Sequence, residues 1–321
     1  MSFLLYFFIS LILIAVILFY FQIATHFDIT DKPNVRSSHR NITIRGGGII
    51  FPVAALIWFF LYGFAFKWTI AGLSLIAIIS FMDDLKPLSG KVRIIVHFVA
   101  ISLMFYDIGI YNLSWYWLLL VYLLTIYWIN AFNFMDGINA ITPFYSLSAL
   151  LFFEILNIKL KFFPKELIII LILSVLIFSY FNARKRAKAF AGDVGSVSMA
   201  FLLVWMLISL ILKTGNIEYI LFFSIYILDT LFTLFFRILR RENIFQAHRL
   251  HLYQLLSNEL KRPHIQVSLL YAISQMIVNL IVVLLIRYEL MNFIVFLFIL
   301  TVLSIVYLAV YRVVTIKIKN I

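Results

Sequence analysis

Stretches free of Asp, Glu, Lys and Arg recur along the whole chain, at 1–27, 46–66, 68–82, 94–106, 108–135, 137–153, 167–183, 194–212, 265–286 and 290–311. An eleventh, 219–236, is broken only by Asp229. A helix needs roughly 20 residues to cross about 30 Å of hydrocarbon, and most of these runs approach that length. The two shortest reach it by borrowing neutral polar flanks, or enter at a re-entrant angle. The pattern predicts an all-α polytopic integral membrane protein with about eleven transmembrane helices. No Lys or Arg precedes the first run and no small-x-small cleavage pattern follows it, so it is expected to remain as a helix and not to be removed as a signal peptide. No repeat, low-complexity tract or Pro/Gly/Ser-rich linker divides the sequence, and residues 1–321 are read as one membrane domain.

Composition agrees. Hydrophobic residues make up 64% of the chain and charged ones 12%, with a mean hydropathy of +1.08, outside the range of soluble domains. With no cysteine, neither a disulfide framework nor a Cys-based metal site can form.

Charge gives the orientation. Eleven spans place the segments Lys32 to Arg45, Lys86 to Arg93, Arg184 to Lys188, Arg237 to Arg262 and Arg312 to Lys319 on one side, with 20 of the 26 basic residues. The other side holds Lys67, Lys159, Lys161, Lys165, Lys213 and Arg287. The positive-inside rule then predicts the N-terminus outside and the C-terminus in the cytoplasm. Topology and anionic headgroups account for the net charge of +12, so no nucleic-acid partner is expected.

The same cytoplasmic edge collects the polar clusters. Asp83 and Asp84 are followed by Lys86, Lys91 and Arg93. Adjacent carboxylates at a membrane edge repel each other and persist most easily beside a metal or a cationic group; a solvated turn is the plainer reading. Asn130, Asn133, Asp136 and Asn139 gather at the end of the fifth run, where they offer oxygen ligands at the water boundary and where helix capping explains only one or two of them. Gly192-Asp193-Val194-Gly195-Ser196 opens the eighth run, where glycines admit a ligand to the backbone and helix-start amides suit phosphate, unless Asp193 is simply a cap. Arg45-Gly46-Gly47-Gly48 ends a basic first loop, and three glycines at a helix start imply either a close approach of something to the backbone or helix packing. The longest loop carries His248-Arg249-Leu250-His251, better suited to phosphate or sugar than to zinc, for which further soft ligands are missing. Asp229, inside the ninth run, is either functional or held by a buried partner. Together these oxygen ligands and cations point to metal-assisted phosphate chemistry.

In order along residues 31–254, the motifs Asp-x-Pro-x-x-Arg-x-x-His with Arg-Gly-Gly-Gly, Asp-Asp, Asn-Phe-Met-Asp-Gly, Gly-Asp-x-Gly-Ser and Ala-His-Arg-x-His-Leu-Tyr-Gln resemble the polyprenyl-phosphate N-acetylhexosamine-1-phosphate transferases, glycosyltransferase family 4. The resemblance implies transfer of an N-acetylhexosamine 1-phosphate from a UDP-sugar to undecaprenyl phosphate, with release of UMP. It implies Mg²⁺, with Mn²⁺ a substitute, held by Asp193 and Asn133. It places Asp83, Asp84 and Asp136 among the catalytic acids, with Asp83 as base or organiser of the lipid phosphate. Arg45, Arg93, Asn130, His248, Arg249 and His251 would bind substrate. The setting would be the inner (cytoplasmic) membrane, multi-pass, with the site on the cytoplasmic face; a second copy of the chain is left open as a partner. Asn139-Ala140 replaces the family's frequent Asn-Gly, and Ile42-Thr43-Ile44 lacks the prolines often found there. The loop also lacks the run of histidines of the phospho-MurNAc-pentapeptide transferases of peptidoglycan synthesis, so the resemblance is closer to the branch that initiates O-antigen and other surface glycans. The peptidoglycan enzyme is the alternative within the family. A polytopic transporter is the rival of another class, but it would be expected to keep its charged groups at the bilayer midplane, where only Asp229 lies.

Overall fold

The computed structural model describes residues 3–31, 42–243, 246 and 248–320. Lys32, Arg36, His39 and Arg40 of the first loop therefore lie outside the described residues.

The chain is helical almost throughout: α1 (Phe3–His26), α2 (Ile50–Leu61), α3 (Lys67–Leu85), α4 (Gly90–Asp107), α5 (Trp115–Met135), α6 (Ile141–Leu160), α7 (Lys165–Asn182), α8 (Gly192–Thr214), α9 (Ser224–Leu239), a single turn α10 (Leu252–Gln254), α11 (His264–Arg287) and α12 (Phe293–Lys319). Two short antiparallel strands, β1 (Thr30–Asp31) and β2 (Thr43–Ile44), pair Thr30 with Ile44. Among the described residues nine helices are long and apolar enough to cross a membrane, the seventh of them being α9 with the 3-10 turns that lead into it. This is the multi-pass all-α architecture that the hydropathy pattern predicts.

Two predicted spans fall short, each for a local reason. Only three residues of 3-10 helix and the twelve of α2 cover the second run, because Gly46–Gly48 serve a close contact described below and Gly63, at φ 79°, ends the helix. Helix α4 has 18 residues, but its first turn carries Lys91 and Arg93. The sixth run starts later than predicted: residues 137–140 are not helical, and Ala140 takes φ 71° before α6 begins.

Helix α8 stands at the centre, with 89% of its most apolar window buried against 6% for α12. Small residues make that position possible. Gly195, Ser196, Ser198 and Ala200 line its first turns and let neighbouring backbones come close, and Trp128 of α5 donates Nε1–H to the Ala200 carbonyl at 3.0 Å. The surrounding helices α2, α3, α5 and α6 all pack on α8. The N-terminal end of α8 therefore meets the C-terminal ends of α3 and α5 and the chain leading into α2, which is where the chemistry-bearing residues lie.

Candidate active site

The site begins with Asp84, in the last turn of α3. Its Oδ1 accepts from the backbone N–H of Asp193 at 2.9 Å and its Oδ2 from that of Val194 at 3.0 Å, so this carboxylate caps α8 from another helix. Arg45 Nε stands 2.7 Å from the same Oδ1. The start amides of α8, expected to suit a phosphate, are thus taken by Asp84. Gly192, at φ 70°, is required here: a Cβ would lie 2.6 Å from Asp84 Oδ2 and 2.8 Å from the Gly46 nitrogen.

The three glycines after Arg45 have the same explanation. A Cβ on Gly48 would lie 2.8 Å from the Ala191 carbonyl oxygen, and one on Gly195 would lie 2.6 Å from Gly48 Cα. Gly47 N–H donates to the Phe190 carbonyl at 2.8 Å and Gly48 N–H to that of Ala191 at 3.0 Å. What approaches the glycine backbone is the protein's own chain entering α8. Tyr20 then donates to the Arg45 carbonyl at 2.5 Å, and Arg45 is fixed over the acids.

Asp83 faces the other way around the turn. It accepts from Leu88 N–H at 2.5 Å and from Arg93 Nη1 at 2.9 Å. Asp193 lies between the two arginines, 3.6 Å from Arg45 Nη2 and 3.6 Å from Arg93 Nη1, too far for a hydrogen bond in either case. So Asp83 and Asp84 have both oxygens committed to donors, whereas Asp193 is held by neither arginine, shares a side-chain hydrogen bond with Asp83 and is crowded by both neighbouring acids. Burial works against the charge on Arg45, but Asp84 and Asp193 outweigh it and raise its pKa above the usual value.

Asn133 joins this group through Ser196, whose hydroxyl lies 2.7 Å from Asn133 Oδ1, one turn along α8 from Asp193. Asp136, just past α5, is bonded to the Thr142 hydroxyl; burial pushes its carboxyl up to about 6, with Thr142 acting against the rise. Asn130 is not drawn in by any polar contact: its amide donates to Ile126 O of its own helix at 2.8 Å. Asn139 bridges segments, its side chain donating to the Arg184 carbonyl at 2.7 Å.

The loop with His248, Arg249 and His251 is fastened beside Asn133 and Asp136 by Tyr253. The Tyr253 hydroxyl donates to Phe134 O at 2.9 Å, and its ring covers Gly137. Within the loop, Arg249 Nε and Nη2 are buried with no hydrogen-bond partner among the described residues. A guanidinium so placed calls for an anion. His248 is pushed down to about 4 by burial, then by His251 and Arg237, and is neutral at physiological pH. His251 turns its Nδ1 to Asp229, at 3.3 Å.

The donor chemistry fits Mg²⁺. Asp193 and Asn133 supply hard oxygens at the same end of α8, the latter through Ser196, and Asp83, Asp84 and Asp193 exceed Arg45 and Arg93 by one negative charge when all are ionised. Among the described residues no three Asp, Glu, His or Cys side chains form a closed cage. An ion held by one or two protein oxygens, with substrate phosphates and waters completing its shell, is the usual magnesium arrangement.

Sequence reasoning gave no role to Thr142, Ser196 or Tyr253. Ser196 and Tyr253 lie within conspicuous motifs, but the partners they reach, Asn133 and the chain at Phe134 and Gly137, are set by packing, and Thr142 is a lone hydroxyl at the start of an apolar helix. The partner that holds Asp229 is also revealed only by the fold.

Residues 66–211 match the family described as glycosyl transferase family 4. A probable undecaprenyl-phosphate N-acetylglucosaminyl 1-phosphate transferase of Bacillus subtilis (strain 168) is 24% identical over 263 residues, covering 72% of this chain and 70% of its own. A phospho-N-acetylmuramoyl-pentapeptide-transferase of Thermotoga neapolitana is 27% identical over 239 residues, covering 66% of this chain and 76% of its own. The family segment contains Asp83, Asp84, Arg93, Asn130, Asn133, Asp136 and Asp193, while Arg45 and the 248–251 loop lie outside it.

Proposed function

We propose, from the match of residues 66–211 to glycosyl transferase family 4 and from the two relatives, that the chain is a polyprenyl-phosphate sugar-1-phosphate transferase that moves N-acetylhexosamine 1-phosphate from a UDP-sugar to undecaprenyl phosphate. The observation that carries this reading is the cluster of Asp83, Asp84, Asp193, Arg45 and Arg93 at one end of the bundle, with the end of α5 tied by Tyr253 to the loop in which Arg249 Nε and Nη2 have no hydrogen-bond partner among the described residues. A nucleotide pyrophosphate with its divalent cation supplies the complement to both. On this reading the reaction is the first membrane step of O-antigen or other surface-glycan synthesis, on the cytoplasmic face of the inner membrane.

The reaction we assign is a displacement at phosphorus. An oxygen of the lipid phosphate bonds to the sugar-linked phosphorus, the bond from that phosphorus to the UMP oxygen breaks, and UMP leaves with the electron pair. A phosphate monoester has a second pKa of about 6, so the nucleophile is ionised at neutral pH and needs no strong base. This agrees with an Asp83 whose oxygens are both engaged. Its role is to hold Arg93, which meets the incoming phosphate, while Asp84 positions Arg45 and the start of α8. Asp193 and Asn133 would hold Mg²⁺, which supplies charge neutralisation on the pyrophosphate. Arg249 binds the sugar-linked phosphate, and neutral His248 offers hydrogen bonds to the sugar. Asp136 shapes the wall between loop and metal ligands.

The two relatives separate by donor. Purified protein would be given undecaprenyl phosphate with UDP-GlcNAc, related UDP-N-acetyl sugars or UDP-MurNAc-pentapeptide, and the lipid product identified by mass. A pyrophosphate-linked N-acetylhexosamine product is expected. Turnover of UDP-MurNAc-pentapeptide alone would replace this reading with the peptidoglycan one.

A further inference from the structure

Asp229 lies fully buried on α9, within a span, and accepts hydrogen bonds from several directions. Leu252 N–H reaches Oδ1 at 3.0 Å, His251 Nδ1 at 3.3 Å, Tyr307 Oη at 3.2 Å and Thr233 Oγ1 at 3.3 Å. Tyr271 donates to Oδ2 at 2.5 Å. A carboxylate satisfied this fully inside a membrane protein binds nothing else; it fixes the groups around it.

Those groups belong to four elements: α9, the loop at 251–252, α11 through Tyr271, and α12 through Tyr307. Helix α12 is otherwise the most lipid-exposed of the spans. It docks near its C-terminal half by ring stacking, Tyr307 on Phe232 with centroids 5.1 Å apart and Tyr311 on Phe236 at 4.9 Å. The loop residues tied to Asp229 come two and three positions after Arg249, whose Nε and Nη2 are buried with no hydrogen-bond partner among the described residues. Among the described residues Arg249 Nε and Nη2 meet no hydrogen-bond partner, so the direction of the side chain is set by the backbone that Asp229 clamps.

We propose that Asp229, completed by Tyr271 and by Tyr307 of the last helix, is a positioning residue for the donor subsite: it holds the backbone at His251 and Leu252 so that Arg249 meets the donor's phosphate. The inference rests on the donor reading above for its ligand, though not for its geometry. A helix standing almost wholly in lipid thereby governs donor affinity without touching substrate.

Tyr307→Phe removes one donor to Asp229 and keeps the ring stack, while Tyr311→Phe alters the same aromatic cluster without touching Asp229. Both would be compared with wild type in the full-length protein by two readouts: steady-state kinetics with UDP-GlcNAc, and amide hydrogen exchange over residues 248–254. Tyr307→Phe is expected to raise the KM for the UDP-sugar about fivefold, the loss of one buried hydrogen bond. Its kcat and its KM for undecaprenyl phosphate should change less than twofold, and exchange in the loop should quicken. Tyr311→Phe should leave the donor KM and loop exchange as in wild type. Unchanged loop exchange in Tyr307→Phe overturns the proposal, as does an equal KM change in the two variants. If wild type transfers from no UDP-sugar, the donor reading fails by itself, and loop exchange still decides whether Tyr307 and Asp229 hold the loop.

Discussion

Asp84 accepts the backbone N–H of Asp193 at 2.9 Å, so one acid holds in place the helix turn that presents the other. The two carboxylates have different work, and substitution should separate them. Asp84→Ala leaves two amides and Arg45 without their acceptor and should lower stability by about 3 kcal/mol, read as a fall in Tm in detergent. Asp193→Asn keeps a donor for the hydrogen bond with Asp83 and relieves crowding of like charges, so its Tm should equal or exceed that of wild type. Its transfer activity should fall about a hundredfold or more.

Close packing at Gly48 makes a second test. Gly48→Ala would push a methyl group into the backbone at Ala191 and Gly195. It should cost about 1–3 kcal/mol and unseat Arg45, lowering activity together with Tm. Gly90→Ala, facing open space, is the matched control and should change neither.

The unpaired guanidinium predicts an opposite pattern. Arg249→Ala removes a half-buried cation whose Nε and Nη2 have no hydrogen-bond partner among the described residues, so the ligand-free Tm should hold or rise. UDP-sugar affinity should fall about tenfold to a hundredfold, the loss expected for hydrogen bonds to a charged phosphate. Calorimetry with UDP-GlcNAc measures it.

Asp136 carries a pH dependence. Its carboxyl is raised to about 6, so between the ordinary carboxylate range and that value the folded protein binds a proton that the unfolded chain does not. Stability from this group is present at low pH and is lost as pH rises toward 6, by at most about 3 kcal/mol given its partial access to water. Asp136→Asn cannot ionise and should be relatively more stable than wild type as pH rises from 4 to 6, with the difference constant above 7. Thermal unfolding across that range checks it.

Much of this was legible in the sequence because polar residues are conspicuous among apolar spans. The runs between charges gave the helices, and the clusters at Asp83-Asp84, Asn133 and Asp193 are gathered at one end of the bundle. What spacing does not reveal is which donors a distant partner has already taken. The amides of α8 look free until Asp84 is placed on them, and Gly46–Gly48 look like a ligand cradle until residues 189–195 fill it. Asp229 shows the same limit, since its partners at 251, 252, 271 and 307 are brought to it only by packing of α9, α11 and α12.

The central claim is that Asp193 and Arg249 frame one site for a metal-bound UDP-sugar. Its most direct test is transfer of radiolabel from UDP-GlcNAc or a related UDP-N-acetyl sugar to undecaprenyl phosphate by the purified protein, titrated with Mg²⁺ after chelation. Label in the lipid, matched by UMP, should appear only with the cation in wild type and be lost in Asp193→Asn. Full transfer by the chelated enzyme, or no transfer from any UDP-N-acetyl sugar with Mg²⁺ present, would contradict it.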